Sequence, residues 1–192
     1  YREVDASQKA GMVREVFSGV ASRYDLMNDA MSLGAHRLWK DQFVSRVKPR
    51  QGEAILDMAG GTGDIAFRMH KAGAQVTVAD INPEMLAVGQ ERAEKRGLSG
   101  LEWSEQNAEQ LTFADRSFDA YTIAFGIRNV TFIDKALAEA HRVLKYGGRF
   151  FCLEFSTCVW PGFSDVYDAY SHRLVPKLGK ALAKDEESYR YL

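Results

Sequence analysis

Two cysteines in 192 residues, Cys152 and Cys158, form no CxxC pair and have no histidine at ligand spacing, which argues against both a disulfide framework and a structural zinc. A reducing compartment is the matching expectation. Four prolines, with no repeat and no low-complexity tract, leave nothing that reads as an interdomain linker. No apolar run approaches the ~18–20 residues of a membrane-spanning helix, and the stretch from Tyr1 to Ala10 is polar rather than signal-like. Charge of one sign is also lacking: 25 Lys and Arg face 26 Asp and Glu for a net charge of −1, so no global field draws the chain to nucleic acid. What is present is 46% apolar residues, enough for one domain with its own core.

The apolar residues alternate between strand and helix patterns. Val16, Phe17, Val20, Tyr24, Met27, Met31, Leu38 and Phe43 recur at mixed helical spacings and predict two or three short helices. Ala54–Met58 then reads as a buried strand, followed by a Gly-rich turn and a helix from about Asp64 to Ala72. Val76–Asp80 is a second strand, and Asn82-Pro83 opens a helix, with asparagine as cap and proline at the first helical position. Strands are expected at Leu101–Gln106, Phe118–Phe125 and Arg149–Phe155. Between the last two lies a helix started by a capping box of Thr131 and Asp134, carrying Phe132 and Ala136 on its inner face, and stopped by Gly147-Gly148. This order predicts an α/β fold with a doubly wound, mostly parallel Rossmann-like sheet.

Ligands of such sheets sit beyond the carboxyl ends of the strands, which directs attention to the turn from Asp57 to Asp64. Gly61-Thr62-Gly63-Asp64-Ile65-Ala66 fits G-x-G-x-x-A, and Asp80 follows Gly61 at the spacing of a ribose-binding acid, so NAD is compatible with spacing alone. Three features favour S-adenosyl-L-methionine (SAM). Asp57 ends the first strand where it could accept from an ammonium group, whereas Asp57 and Asp64 would repel a pyrophosphate. The turn carries no phosphate-clamping lysine. Asn107-Ala108 follows the third strand in place to meet an adenine edge, and too few residues follow the fifth strand for a dehydrogenase substrate domain.

The runs Val16–Asp29, His36–Lys40, Ala59–Asp64, Phe125–Val130 and Leu153–Ser156 together resemble the ubiquinone/menaquinone biosynthesis C-methyltransferases. The resemblance implies a single SAM-dependent methyltransferase domain over residues 1–192. Within it, 1–47 would be an N-terminal helical lid over the cofactor, 48–155 the cofactor-binding core and 156–192 a C-terminal helical segment. It implies SAM contacts at Thr62, Asp80, Asn107 and Ala108, with Asp57, Gly61 and Gly63 shaping the loop. It further implies methylation of a ring carbon of a polyprenylated benzoquinol or of demethylmenaquinol. A cytoplasmic protein follows, peripheral to the inner membrane at most (mitochondrial matrix in a eukaryote), with other quinone-biosynthesis enzymes or a second copy as partners. A fold of this class carries two further strands after the fifth, so C-terminal strands are expected to be missing and the fifth strand to be an edge.

A quinol carbon becomes nucleophilic when a ring hydroxyl loses its proton, so a site for this reaction should favour phenolate. Arg128, just past the fourth strand, is the first catalytic candidate, because a cation lowers a phenol pKa. Tyr24, with Asn28, is the second, placed to line the ring. Glu154 stands out as a strand carboxylate in need of a partner. The apolar stripe of Phe163, Val166, Tyr167, Tyr170 and Leu174 reads as a helix packed on the sheet or as an entrance for a greasy tail. The reading from another class is a non-catalytic SAM- or lipid-binding scaffold.

Overall fold

A computed structural model of the chain describes Ser32 and residues 34–155. Tyr24, the 1–31 part of the expected lid, the stripe from Phe163 and any strand after the fifth lie outside the described residues. Of those described, Gln42–Glu154 form one compact unit, and Ser32, Gly34–Asp41 and Phe155 belong to a second. In the second unit the rings of Trp39 and Phe155 meet edge-on at 5.8 Å.

The chain runs α1 (Ala35–Val47), β1 (Ala54–Met58), α2 (Asp64–Lys71), β2 (Gln75–Asp80), α3 (Pro83–Lys95), β3 (Glu102–Glu105), β4 (Phe118–Ala124), a 3₁₀ turn (Ile127–Asn129), α4 (Ile133–Val143) and β5 (Leu144–Leu153). All strand pairings are parallel, in the order β3-β2-β1-β4-β5. The chain moves outward from β1 in one direction and then returns to start again at β4. The switch point therefore falls between β1 and β4.

Alternation along the strands feeds two cores. Ile55, Val76, Val78 and Ala120 pack with Ile65, Ala66 and Met69 of α2, Leu86 of α3 and Phe43 and Val47 of α1. Leu56, Met58, Tyr121 and Ile123 pack on the other face with Ala136, Ala140 and Val143 of α4. Right-handed crossovers place α2 and α3 on one face and α4 on the opposite one, which is the double winding expected from the sequence. Structural ion pairs gather at the amino end of the sheet, where Arg149 meets Glu53 and Lys145 meets Asp119, whose Oδ2 also accepts from the Ala54 amide.

Asn82 caps α3, accepting from the Glu84 and Met85 amides at 2.9 and 3.2 Å, and Gly97 follows the helix at φ 63°. The capping box at Thr131 is not formed. The helix starts later, its cap residue Phe132 makes no side-chain cap bond, and Glu109 Oε1 instead accepts from the amides of Thr131 and Phe132 at 2.9 and 3.0 Å. Phe132 is exposed rather than on the inner face. The helix ends at Val143, before the glycines; pairing jumps from Phe118↔Leu144 to Ala120↔Arg149, and Gly147 at φ 74° turns the extra residues outward.

Trp103 of β3 locks the first crossover to the second. Its ring meets Phe67 at a centroid distance of 6.2 Å, and a Cβ at Gly89 of α3 would lie 2.4 Å from the indole. An alanine in a helix ordinarily gains up to about 1 kcal/mol over glycine, while overpacking costs ~1–3 kcal/mol. Overpacking should win here, because the indole is already held by Phe67 and Gly63. Gly89→Ala is expected to lower the unfolding free energy by about 1–2 kcal/mol, measured by urea denaturation; a stabilised variant would show that the indole has room to move.

Candidate active site

Two loops meet at the switch point. Ala59 follows β1 at φ 53° and Phe125 follows β4 at φ 56°, both left-handed conformations that are unusual for residues with side chains. Each stores of the order of 1–3 kcal/mol and persists only where surroundings enforce it. The enforcement is visible: a Cβ on Gly126 would stand 2.4 Å from that of Ala59, and the Phe125 amide donates to the Leu153 carbonyl at 2.7 Å. The C-terminal ends of β1, β4 and β5 are thereby fixed to one another.

Asp57 sits beside this junction, fully buried in β1 and opposite Thr122 of β4. The Thr122 hydroxyl donates to Oδ1 at 2.7 Å, and Oδ2 is buried with no hydrogen-bond partner. Burial pushes the carboxyl pKa up to about 7; the Thr122 bond and the Ala66 amide in the first turn of α2 oppose the rise, and Asp80 and Asp64 add to it. Gly60 is required by space rather than by φ, since a Cβ there would meet Val78 at 2.7 Å and Asp57 Oδ2 at 3.1 Å.

The Gly-rich loop is strapped from two sides. Asp80, at the end of β2, accepts from the Gly61 amide at 3.0 Å and the Asn82 amide at 2.9 Å, and burial raises its pKa to about 6 against these bonds. The buried Thr62 turns its hydroxyl toward α3, where Arg92 donates to it at 2.6 Å. Gly63 precedes α2 at φ 79°, with a Cβ position 2.8 Å from Trp103. Arg68 pairs with Asp64 at 2.6 Å, which leaves Asp57 and Asp80 as the acids of the site.

These residues fit SAM. A desolvated carboxylate with one unused oxygen suits a cation, the turn offers no base for a pyrophosphate, and the loop has backbone where a side chain would obstruct a ligand. When bound, SAM supplies an electrophilic methyl group that carries its own leaving group. Asp57, the Gly61–Gly63 backbone and Asp80 are the groups that would hold it.

Asn107 and Ala108 lie just past β3. Ala108 is buried, whereas Asn107 is exposed and its Oδ1 accepts from the Glu109 amide at 3.0 Å, so its acceptor closes its own turn. Beside it Gln106, not singled out from the sequence, is buried. Its amide reaches Ser104 at 2.9 Å and Thr112 at 2.7 Å, and its backbone N–H donates to the Asp80 carbonyl. Arg142 anchors the far side of this loop through the Leu111 and Phe113 carbonyls. Thr122 was also missed, since a threonine in a strand carries no sign of what faces it.

Arg128 lies in the 3₁₀ turn after β4, and its guanidinium pairs with Glu154, one residue beyond β5. Residues that follow the neighbouring strands β4 and β5 are thus brought together as an ion pair that neither sequence position shows.

The family model described as the ubiE/COQ5 methyltransferase family matches residues 3–192. A ubiquinone/menaquinone biosynthesis C-methyltransferase of Zymomonas mobilis is 64% identical over 192 residues, covering 100% of this chain and 79% of the relative. Its namesake from Brucella abortus strain S19 is 57% identical over 198 residues, covering 100% and 74%. Among solved structures, a SAM-dependent methyltransferase from Aquifex aeolicus superposes with a TM-score of 0.57 at 21% identity, over 72% of this chain and 77% of that one, a likeness of fold.

The raised acid pKa of Asp57 has a stability consequence. A carboxyl that titrates near 7 folded and near 3.8 unfolded stabilises the fold in its protonated form; that contribution is complete below about pH 4 and is lost as pH rises through 7. Thermal midpoints of the ligand-free protein and of Asp57→Asn, measured from pH 4 to 8, should therefore diverge, the variant gaining relative to the parent as pH rises. Parallel profiles would mean that Asp57 is ionised throughout.

Proposed function

The chain belongs to the ubiE/COQ5 methyltransferase family, and from that premise we propose that it is a SAM-dependent C-methyltransferase acting on a ring carbon of a quinol in ubiquinone and/or menaquinone biosynthesis. The observation that carries the reading is the buried Asp57 with its unused oxygen, set beside a strapped glycine loop at the switch point. Asp57 offers its charge to the ammonium group, and Asp80 offers its remaining lone pairs to the ribose hydroxyls while holding Gly61. Ala108 and the exposed Asn107 form the adenine end of the same row.

Arg128 is the group proposed to act on the substrate. Placed over the ring hydroxyl, its guanidinium favours the phenolate and so raises electron density on the ring carbon that attacks. The other contribution is placement, because a preformed loop that holds the methyl donor still and a turn that holds Arg128 still convert an encounter into an alignment. Tyr24 belongs to the proposal as a lining residue from outside the described region. A prenyl tail on such a quinol partitions into lipid, so peripheral contact with the membrane that stores it is included; no helix among the described residues is long and apolar enough to cross one.

Calorimetric titration tests the cofactor assignment. Asp80→Ala is expected to weaken SAM binding by ~2–3 kcal/mol, the scale of hydrogen bonds to a charged group, or roughly 30–150-fold in Kd. Unchanged affinity would sink the assignment, as would binding of NADH in place of SAM. Arg128→Ala should lower kcat on a demethyl quinol by about 100-fold, the scale of one preorganised charge-stabilising donor, and leave SAM affinity within twofold. Equal losses in both would return Arg128 to a purely structural role.

A further inference from the structure

The two buried acids of the site are held differently. Asp80 accepts from the backbone N–H groups of Gly61 and Asn82, donors supplied by the main chain. Asp57 takes a short bond from a side chain, the Thr122 hydroxyl at 2.7 Å, with the Ala66 amide as a lesser donor. Thr122 is itself fully buried, and the β1–β4 register sets it directly opposite Asp57. Its single proton has two acceptors in reach, Asp57 Oδ1 and the Leu56 carbonyl at 3.3 Å, and the shorter, charge-assisted contact takes it. The other carboxylate oxygen, Oδ2, lies on the glycine-loop side, 3.1 Å from where a Cβ of Gly60 would stand. A β-branched side chain is stiff at χ1, so the hydroxyl is fixed as firmly as the strand that carries it.

We infer that Thr122 is a positioning residue for Asp57: its hydroxyl occupies Oδ1, leaves Oδ2 turned toward the glycine loop, and favours the ionised form that the ammonium group of the methyl donor recognises. The inference rests on the cofactor role proposed above for Asp57. Its consequence is proton-linked binding. The ligand-free carboxyl, which burial pushes up to about 7, is largely protonated below that pH, and an ammonium group is held only once the proton has left to solvent. Among the described residues the charged groups that act on it are Asp80 at the end of β2 and Asp64, paired with Arg68, at the start of α2; both acids hold the proton on. The Tyr121 phenol, next to Thr122 on β4, is raised by burial and stays neutral in this range. The Thr122 hydroxyl is the largest influence in the opposite sense.

S-adenosylhomocysteine, the demethylated donor, keeps the ammonium group and serves as the probe. Calorimetric titration of the full chain in buffers of different ionisation enthalpy should show about one proton released on binding at pH 6 and little at pH 8. 5′-Methylthioadenosine lacks the ammonium group and should bind with none released. Thr122→Val keeps the shape and removes the donor. Its release should persist at pH 8, because loss of a bond to a carboxylate moves the break up by about one to two pH units. The variant-to-parent Kd ratio, in which the ligand's own titration cancels, should be about 10–100-fold at pH 6 and fall to within about threefold at pH 9. Thr122→Ser keeps the donor and should hold the parent's break, and Thr122→Ala carries the same comparison should the valine variant fail to fold.

A merely structural threonine gives a different pattern: Kd rises by one factor at every pH, with proton release as in the parent. That result overturns the inference and leaves the functional reading intact. So does a parent that binds S-adenosylhomocysteine with no proton released at pH 6, or with the same release for 5′-methylthioadenosine. A parent that binds neither SAM nor S-adenosylhomocysteine fails the functional reading itself, and this inference with it.

Discussion

The site is organised around a carboxylate that the sheet has removed from water. Asp57 lies in the central strand, with its neighbours on both sides already paired, and its side chain can reach only Thr122 and the first turn of α2. An ionised carboxylate in that position is costly without a counter-charge, and the rise of its pKa toward neutrality expresses the cost. Much of the nearby sequence follows. Thr122 has to be a donor, Gly60 has to lack a side chain, and the loop after β1 has to bend sharply through Ala59 to clear the carboxyl. A cationic ligand turns the cost into recognition, since it supplies the missing charge and releases the proton.

Around that point the protein's own side chains hold the loops. Asp80 ties the glycine loop to the start of α3, Arg92 ties Thr62 to the middle of the same helix, and Gln106 ties the β3 loop to the end of β2. Each strap joins elements that are adjacent only because the sheet order is β3-β2-β1. Preorganisation of this kind lowers the ordering cost of binding and leaves more of the interaction energy for affinity. In the proposed reading Asp80 would carry two duties, so a substitution there would loosen the loop as well as remove a ligand contact.

How far the sequence could be read follows the range of the interactions. The succession of strands and helices along the chain, the Asn82 cap, the Gly97 terminator and the acids at strand ends were legible, because each depends on residues within one or two turns of itself. The start of α4 was misread because Glu109, 22 residues upstream of Thr131, satisfies the amides that a local cap would have taken. Thr122 was invisible because its meaning comes from lying opposite Asp57 in a neighbouring strand. Arg128 and Glu154 were each noticed, but their pairing depends on β4 and β5 being neighbours. The sequence shows that two parallel strands exist before it shows their register.

The placement of Arg128 also bears on why the ion pair sits where it does. A cation at the carboxyl end of this sheet would stand near a bound sulfonium, and like charges in a poorly solvated site oppose each other. In the proposed reading the Glu154 carboxylate offsets part of the Arg128 charge, which would lessen the repulsion between that guanidinium and a cationic methyl donor. Under the same reading Asp57 and Asp80 would act in the same sense from the other side, where the donor's ammonium and ribose would lie. On that reading the strands would divide two electrostatic tasks: attraction of a cation by the buried acids at the ends of β1 and β2, and polarisation of a ring by the Arg128 guanidinium after β4.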